Sequence, residues 1–94
     1  MVTYAEALAA CVARLGKPQL TASVNAAPMC AEWSRWVNGA LRVVTLYDEG
    51  GPWIEASAYA RDDVECALPS ERWHAAADSV ALDAAARWIA GRGP

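Results

Sequence analysis

Tyr4, Leu8, Cys11, Val12 and Leu15 recur at helical spacing, with Glu6, Ala10, Ala13 and Arg14 opposite them. That period predicts an amphipathic helix over 3–16. Its start is marked by Thr3 and Glu6, a capping box in which hydroxyl and carboxylate each satisfy the other residue's amide. Its end is marked by Gly16, which takes the left-handed stop, by Lys17 beside the last carbonyls, and by Pro18, which cannot continue a helix.

After this helix the period falls to two. Leu20, Ala22 and Val24 alternate with Gln19, Thr21, Ser23 and Asn25, predicting a short, half-exposed strand, and Ala26-Ala27-Pro28-Met29 predicts a break. Two further runs, 32–37 and 41–47, flank Asn38-Gly39, the residues that best tolerate the positive φ of a tight hairpin turn. A two-residue loop places Arg35 opposite Arg42, an unfavourable like-charge pair. A three-residue loop pairs Trp36 with Arg42, a cation–π contact. The residues alone leave the register open between the two.

Asp48-Glu49-Gly50-Gly51 predicts a second turn, followed by a strand over 53–60. Ile54, Ala56, Ala58 and Ala60 line one face of it, and Trp53, Glu55, Ser57 and Tyr59 the other. Residues 61–68 read as a polar, acidic connection. Ser70 then caps a second helix running to about Ala90 and stopping at Gly91, with Trp73, Ala77, Val80, Ala84 and Trp88 as its main stripe. Asp78 or Ser79 could cap a new start within that stretch. The predicted fold class is α+β: an antiparallel sheet of three to four strands flanked by an N-terminal and a C-terminal helix, in the order α-β-β-β-β-α, as one domain over 1–94.

Composition alters the expected core. The chain is 55% hydrophobic, but it has no Phe and twenty-two Ala, so bulk must come from five Trp and three Tyr. About three of the tryptophans are expected in the core, leaving one or two for a partner. Trp is enriched at binding hot spots. No apolar run reaches the roughly 18 residues that span a bilayer, and no secretory leader is legible, so a cytoplasmic location is expected.

Candidate chemistry is sparse. The single histidine, His74, has Trp73 and alanines as its sequence neighbours, and nothing local orients it toward Cys30 or Cys66 as a nucleophile pair. Cys11, Cys30 and Cys66 form neither a disulfide framework nor a Cys-x-x-Cys pair. Gly50-Gly51 is explained by its turn, and Asp62-Asp63-Val64-Glu65 lacks the alternating donors of a calcium loop. The expectation is no enzyme, no metal and no cofactor. Double-stranded-RNA-binding domains share the order helix, antiparallel sheet, helix. Here, however, the net charge is −3 and the second predicted helix carries only Arg72, Arg87 and Arg92, too few cations to neutralise phosphates directly.

Charge distribution carries the most information. Residues 48–71 hold seven acids, Asp48, Glu49, Glu55, Asp62, Asp63, Glu65 and Glu71, against Arg61 alone, a net of −6. The rest of the chain holds four acids and seven bases. With its two acidic groups at opposite ends of one strand, about 25 Å apart, the segment forms an extended rim suited to a basic surface. These seven residues are the expected partner contacts. The plain alternative is that loops are solvated by charge. Leu82 and Ile89 lie off the main helix stripe. They either support a homodimer or dock a partner, or belong to a helix wedged between the sheet and the first helix and buried on both faces, the latter slightly favoured.

The expected function is a small acidic binding module that occludes another macromolecule. Inhibitors carried by phages and mobile elements, including anti-CRISPR proteins and nucleic-acid mimics, have this profile as a class. An immunity protein, an antitoxin or a secretion-chaperone-like acidic partner is the alternative, and an enzyme of unknown class the third.

Overall fold

The computed structural model of the chain describes residues 3–24, 27–63 and 69–91. Helix α1 (Tyr4–Leu15) begins as its spacing predicts: the Glu6 amide donates to Thr3 Oγ1 and the Thr3 amide to Glu6 Oε1, both at 3.2 Å. Gly16, at φ 83°, ends it. Tyr4, Ala7 and Cys11 are buried, with Leu8 and Leu15 packed beside them. Val12, expected on the apolar side, is instead exposed.

Five strands follow, one more than the upper expectation: β1 (Leu20–Val24), β2 (Ala27–Val37), β3 (Ala40–Asp48), β4 (Pro52–Tyr59) and β5 (Glu71–Ala76). They lie side by side in chain order, each antiparallel to the next. Strand β2 already runs at Ala27, inside the stretch where a break is predicted. Pro28 is accommodated there because the β1–β2 register shifts between Ala22 and Ser23, and an irregular ladder tolerates a residue without an amide proton.

The turn at Asn38-Gly39 has two residues, with φ of 49° and 79° and Val37 opposite Ala40. Arg35 therefore does face Arg42, and Trp36 pairs with Leu41. The like-charge pair persists because Arg42 is engaged elsewhere. Its guanidinium lies 5.0 Å from the centroid of the Trp88 ring and donates to the Trp88 carbonyl. The cation–π contact exists, but its aromatic partner comes from the C-terminal helix rather than from Trp36.

The largest correction concerns residues 70–90. Glu71–Ala76 is a strand paired with β4, and helix α2 spans only Ser79–Ile89. Local propensity misleads here, because Ala75-Ala76-Ala77 favours a helix. The ladder to β4 prevails, and Trp73 and Ala75 turn toward the helices while Arg72 and His74 turn away. Asp78 is the actual cap, accepting from the Ala81 amide at 2.8 Å. Ser70 instead donates to the Ala58 carbonyl.

The new start also rephases the helix. Ala81, Leu82, Ala85 and Ile89 are buried, and Val80 is 74% exposed. Leu82 and Ile89 are core residues at 4% exposure each, so the buried alternative holds and they offer no face for a homodimer.

Both helices cover one face of the sheet. Trp33, Val44, Leu46, Ile54 and Ala56 project into the core there, alongside the buried faces of α1 and α2. Trp33 is 2% exposed, and its indole donates to the Gly16 carbonyl at 2.8 Å. Trp73 and Trp88 are partly buried against the same cluster.

Candidate functional site: the open face of the sheet

Side chains alternate across a strand, so whatever flanks the core residues in sequence lies on the face without helices. The ladders arrange that face in rows. Trp36, Leu41 and Tyr59 form the row nearest the Asn38-Gly39 turn. Ser34, Val43, Ser57 and Arg72 come next, followed by Leu20, Glu32, Thr45, Glu55 and His74. The last row, at the Gly50-Gly51 end, holds Ala22, Cys30, Tyr47, Trp53 and Ala76. Trp36 is 62% exposed and Leu20 58%, and Tyr47, Trp53 and Tyr59 are half-buried.

Indole burial is among the larger single gains available to a chain, so a tryptophan left in water by a protein without Phe stands out. The alternation of Glu32, Ser34 and Trp36 carries the signal that could have placed Trp36 outward. The pairing of Tyr47 with Trp53 was equally legible, because the glycine turn sets them opposite each other.

The seven acids do not form one rim. Asp48 and Glu49 lie at one end of β4, and Asp62 and Asp63 follow its other end, about 26 Å away for a strand of this length. Asp48 is partly occupied by its turn, where it accepts from the Gly51 amide at 3.1 Å. Glu55 sits on the open face between the two groups, ion-paired with Arg72. Glu71 lies on the opposite, helix-covered face and accepts from the Trp88 indole at 3.3 Å, so it holds the helix rather than a partner. Glu65 lies outside the described residues, as does Cys66. Asp48 and Glu49 thus share one end of the sheet and Asp62 and Asp63 the other, while Glu55 and, from β2, Glu32 lie in one row of the open face between them.

Two concavities flank Trp53. On one side a cleft of about 530 Å³ runs between Gly51, Pro52 and Trp53 and the approach to α2 at Ala77, Asp78 and Ser79. On the other, a notch of about 230 Å³ is walled by Tyr47, Glu49, Trp53 and His74. The Trp53 indole is pinned by donation to the Glu49 carbonyl at 3.1 Å. His74, on β5 and not on a helix, is exposed, with its ring centroid 6.1 Å from that of Trp53 at an interplanar angle of 51°.

On the core side, Cys11 is buried and its thiol is pushed up to about 11 by burial, with Arg14 opposing weakly. Tyr4 is pushed up to about 12, first by burial and then by the nearby Cys30, Cys11 and Asp48. Its hydroxyl is buried without a hydrogen-bond partner among the described residues. Among those residues no group of His, Cys, Asp and Glu is placed to hold a metal ion, and no helix is long and apolar enough to cross a membrane.

The chain matches no protein-family model, no curated protein and no solved structure.

Proposed function

We propose that the chain is a binding module that occludes a basic macromolecule by docking its open sheet face against it. The observation that carries this reading is the placement of Trp36, the most exposed tryptophan, in a row with Leu41 and Tyr59 on the face that neither α1 nor α2 covers. A half-apolar sheet face with aromatic side chains at both ends has the makeup of an interface core, and carboxylates at both ends supply a polar rim. That rim favours a cationic partner and disfavours nucleic acid. Small inhibitors of the kind carried by phages and mobile elements, anti-CRISPR proteins among them, share this small, acidic profile as a class.

The test is retention of a partner from bacterial lysate on immobilised protein, compared among the wild type, Trp36→Ser and Val80→Ser. Val80, 74% exposed, is an apolar residue of the opposite, helical layer. A protein kept by wild type and Val80→Ser but released by Trp36→Ser supports the open face. Equal retention by all three, or loss only with Val80→Ser, overturns it.

A further inference from the structure

Within that face, we propose that the notch between Tyr47, Glu49, Trp53 and His74 is a receptor for one cationic side chain, an arginine or lysine of the partner. The inference rests on the reading of the open face as the recognition surface, and it names the chemistry recognised at one end of it.

Four observations converge. Tyr47 and Trp53 are direct cross-strand neighbours, close enough for their rings to wall one space. His74 closes a third side, its ring tilted against the indole. The indole cannot swing away without losing its hydrogen bond to the Glu49 carbonyl, so the wall is preorganised. Glu49, an exposed acid, is itself among the residues that line the notch.

Aromatic faces present negative charge density, and they attract a cation within about 6 Å of the ring centroid. A carboxylate at the rim adds to that attraction and repels an anion. Asp48, the preceding residue, adds a second negative charge at the same end of the sheet. The cation that β5 carries on this face, Arg72, is held by Glu55 and leaves the notch to an outside group. The volume, about 230 Å³, suits the end of one long side chain and not a folded segment.

The cleft on the far side of Trp53 has walls of Gly51, Pro52 and Ala77 and offers no comparable set of aromatic faces. It is not part of the proposal.

The test uses the intact protein and small probes, so it needs no partner. N-acetyl-arginine-N-methylamide is titrated at constant ionic strength while the indole N–H resonances are followed by NMR, that of Trp53 being assigned by its loss in Trp53→Phe. The uncharged N-acetyl-norleucine-N-methylamide is titrated in parallel. The expected result is a saturable shift of the Trp53 indole with the arginine probe, little or none with norleucine, and affinity about threefold weaker in Glu49→Gln, the worth of one exposed ionic contact. Tyr47→Leu removes an aromatic wall and weakens binding by a similar factor, about two- to fivefold.

Glu49 is an exposed turn residue whose hydrogen bond to Trp53 uses its backbone, so Glu49→Gln keeps the fold. Equal shifts with both probes would mean a merely apolar notch and overturn the proposal. So would an unmoved Trp53 resonance, or arginine binding indifferent to both Glu49→Gln and Tyr47→Leu. If these fail while Trp36→Ser still releases the captured partner, the face stands and only the notch falls. If the notch binds arginine but no partner depends on Trp36, the reverse holds.

Discussion

Arg42 spans the edge of the core to reach Trp88, stacking on its ring at 5.0 Å and donating to its carbonyl. The same indole donates to Glu71, so Trp88 is held from both sides by residues of β3 and β5. This clamp fastens the last turn of α2 to the sheet. Arg42→Ala should cost about 1–2 kcal/mol, and Arg42→Lys somewhat less, because lysine keeps the charge but not the planar fork. A double-mutant cycle with Trp88→Leu should return a coupling of about 1 kcal/mol. Arg35→Ala, which removes only the exposed member of the facing pair, should leave urea stability unchanged or slightly raised.

Helix α2 starts at Asp78, and its cap provides a direct check. Asp78→Ala should lower stability by about 1 kcal/mol through loss of the bond from the Ala81 amide. Ser79→Ala should change it by far less, since Ser79 lies within the helix. Equal effects would mean that the helix begins elsewhere.

The residues around Asp78 also mark how much of the fold was legible. Signals written in adjacent residues survived: the Thr3/Glu6 box, the Asn38-Gly39 turn, the alternation of β4. The strand over Glu71–Ala76 was hidden because alanine-rich sequence reads as helix and only pairing with β4 decides otherwise. With that boundary misplaced the helix phase goes with it, and Leu82 and Ile89 fall off the stripe assigned to the core. The site divides in the same way. The acidic bias was plain in the chain, but whether Glu71 and Glu55 shared a face depended on strand pairing. The notch required three strands in register.

Gly91 closes α2 with φ 79°, and a Cβ built there would lie 2.9 Å from Val37 Cγ1. Gly91→Ala therefore combines backbone strain with a steric clash, and should cost about 1–2 kcal/mol. Pairing it with Val37→Ala separates the two effects. The double variant should recover the steric share relative to the sum of the single changes, and the backbone share should remain. Purely additive losses in thermal unfolding would remove the contact with Val37 from the explanation.

Burial of Tyr4 and Cys11 predicts an alkaline weakness. Both are acids whose folded values are raised, Cys11 from 9.0 to about 11 and Tyr4 from 10.0 to about 12. Each contributes fully below its unfolded value, because the neutral form is the one the core accepts. As pH rises, the unfolded chain ionises first and gains free energy that the folded chain does not. The cysteine contribution is lost between pH 9.0 and about 11, and that of tyrosine between 10.0 and about 12. The urea midpoint should fall between pH 9.0 and about 12, and less steeply in the Cys11→Ala, Tyr4→Phe double variant. At neutral pH Tyr4→Phe alone should be neutral or stabilising by up to about 1 kcal/mol, since the hydroxyl it removes has no partner.

The two acidic ends of the open face should act on association more than on lifetime. Glu49 and Asp62 lie at opposite ends of β4 and are both exposed, so charge reversal at either leaves the fold intact. For a partner drawn by the combined field, Glu49→Lys and Asp62→Lys should each slow association, and the double reversal should slow it further. The rate should also fall steeply with salt, because the screening length shrinks from about 10 Å at 0.1 M to about 3 Å at 1 M. Asp83→Lys is the matched control. It reverses one charge on the helical layer, and breaking the exposed Arg14–Asp83 pair costs little stability. Association rates of the captured partner, measured by surface plasmon resonance across a salt series, decide the matter. If Asp83→Lys slows binding as much as Glu49→Lys, net charge alone governs the encounter. If none of the reversals changes the rate, the carboxylates keep the protein in solution, and recognition falls to Trp36 and its row.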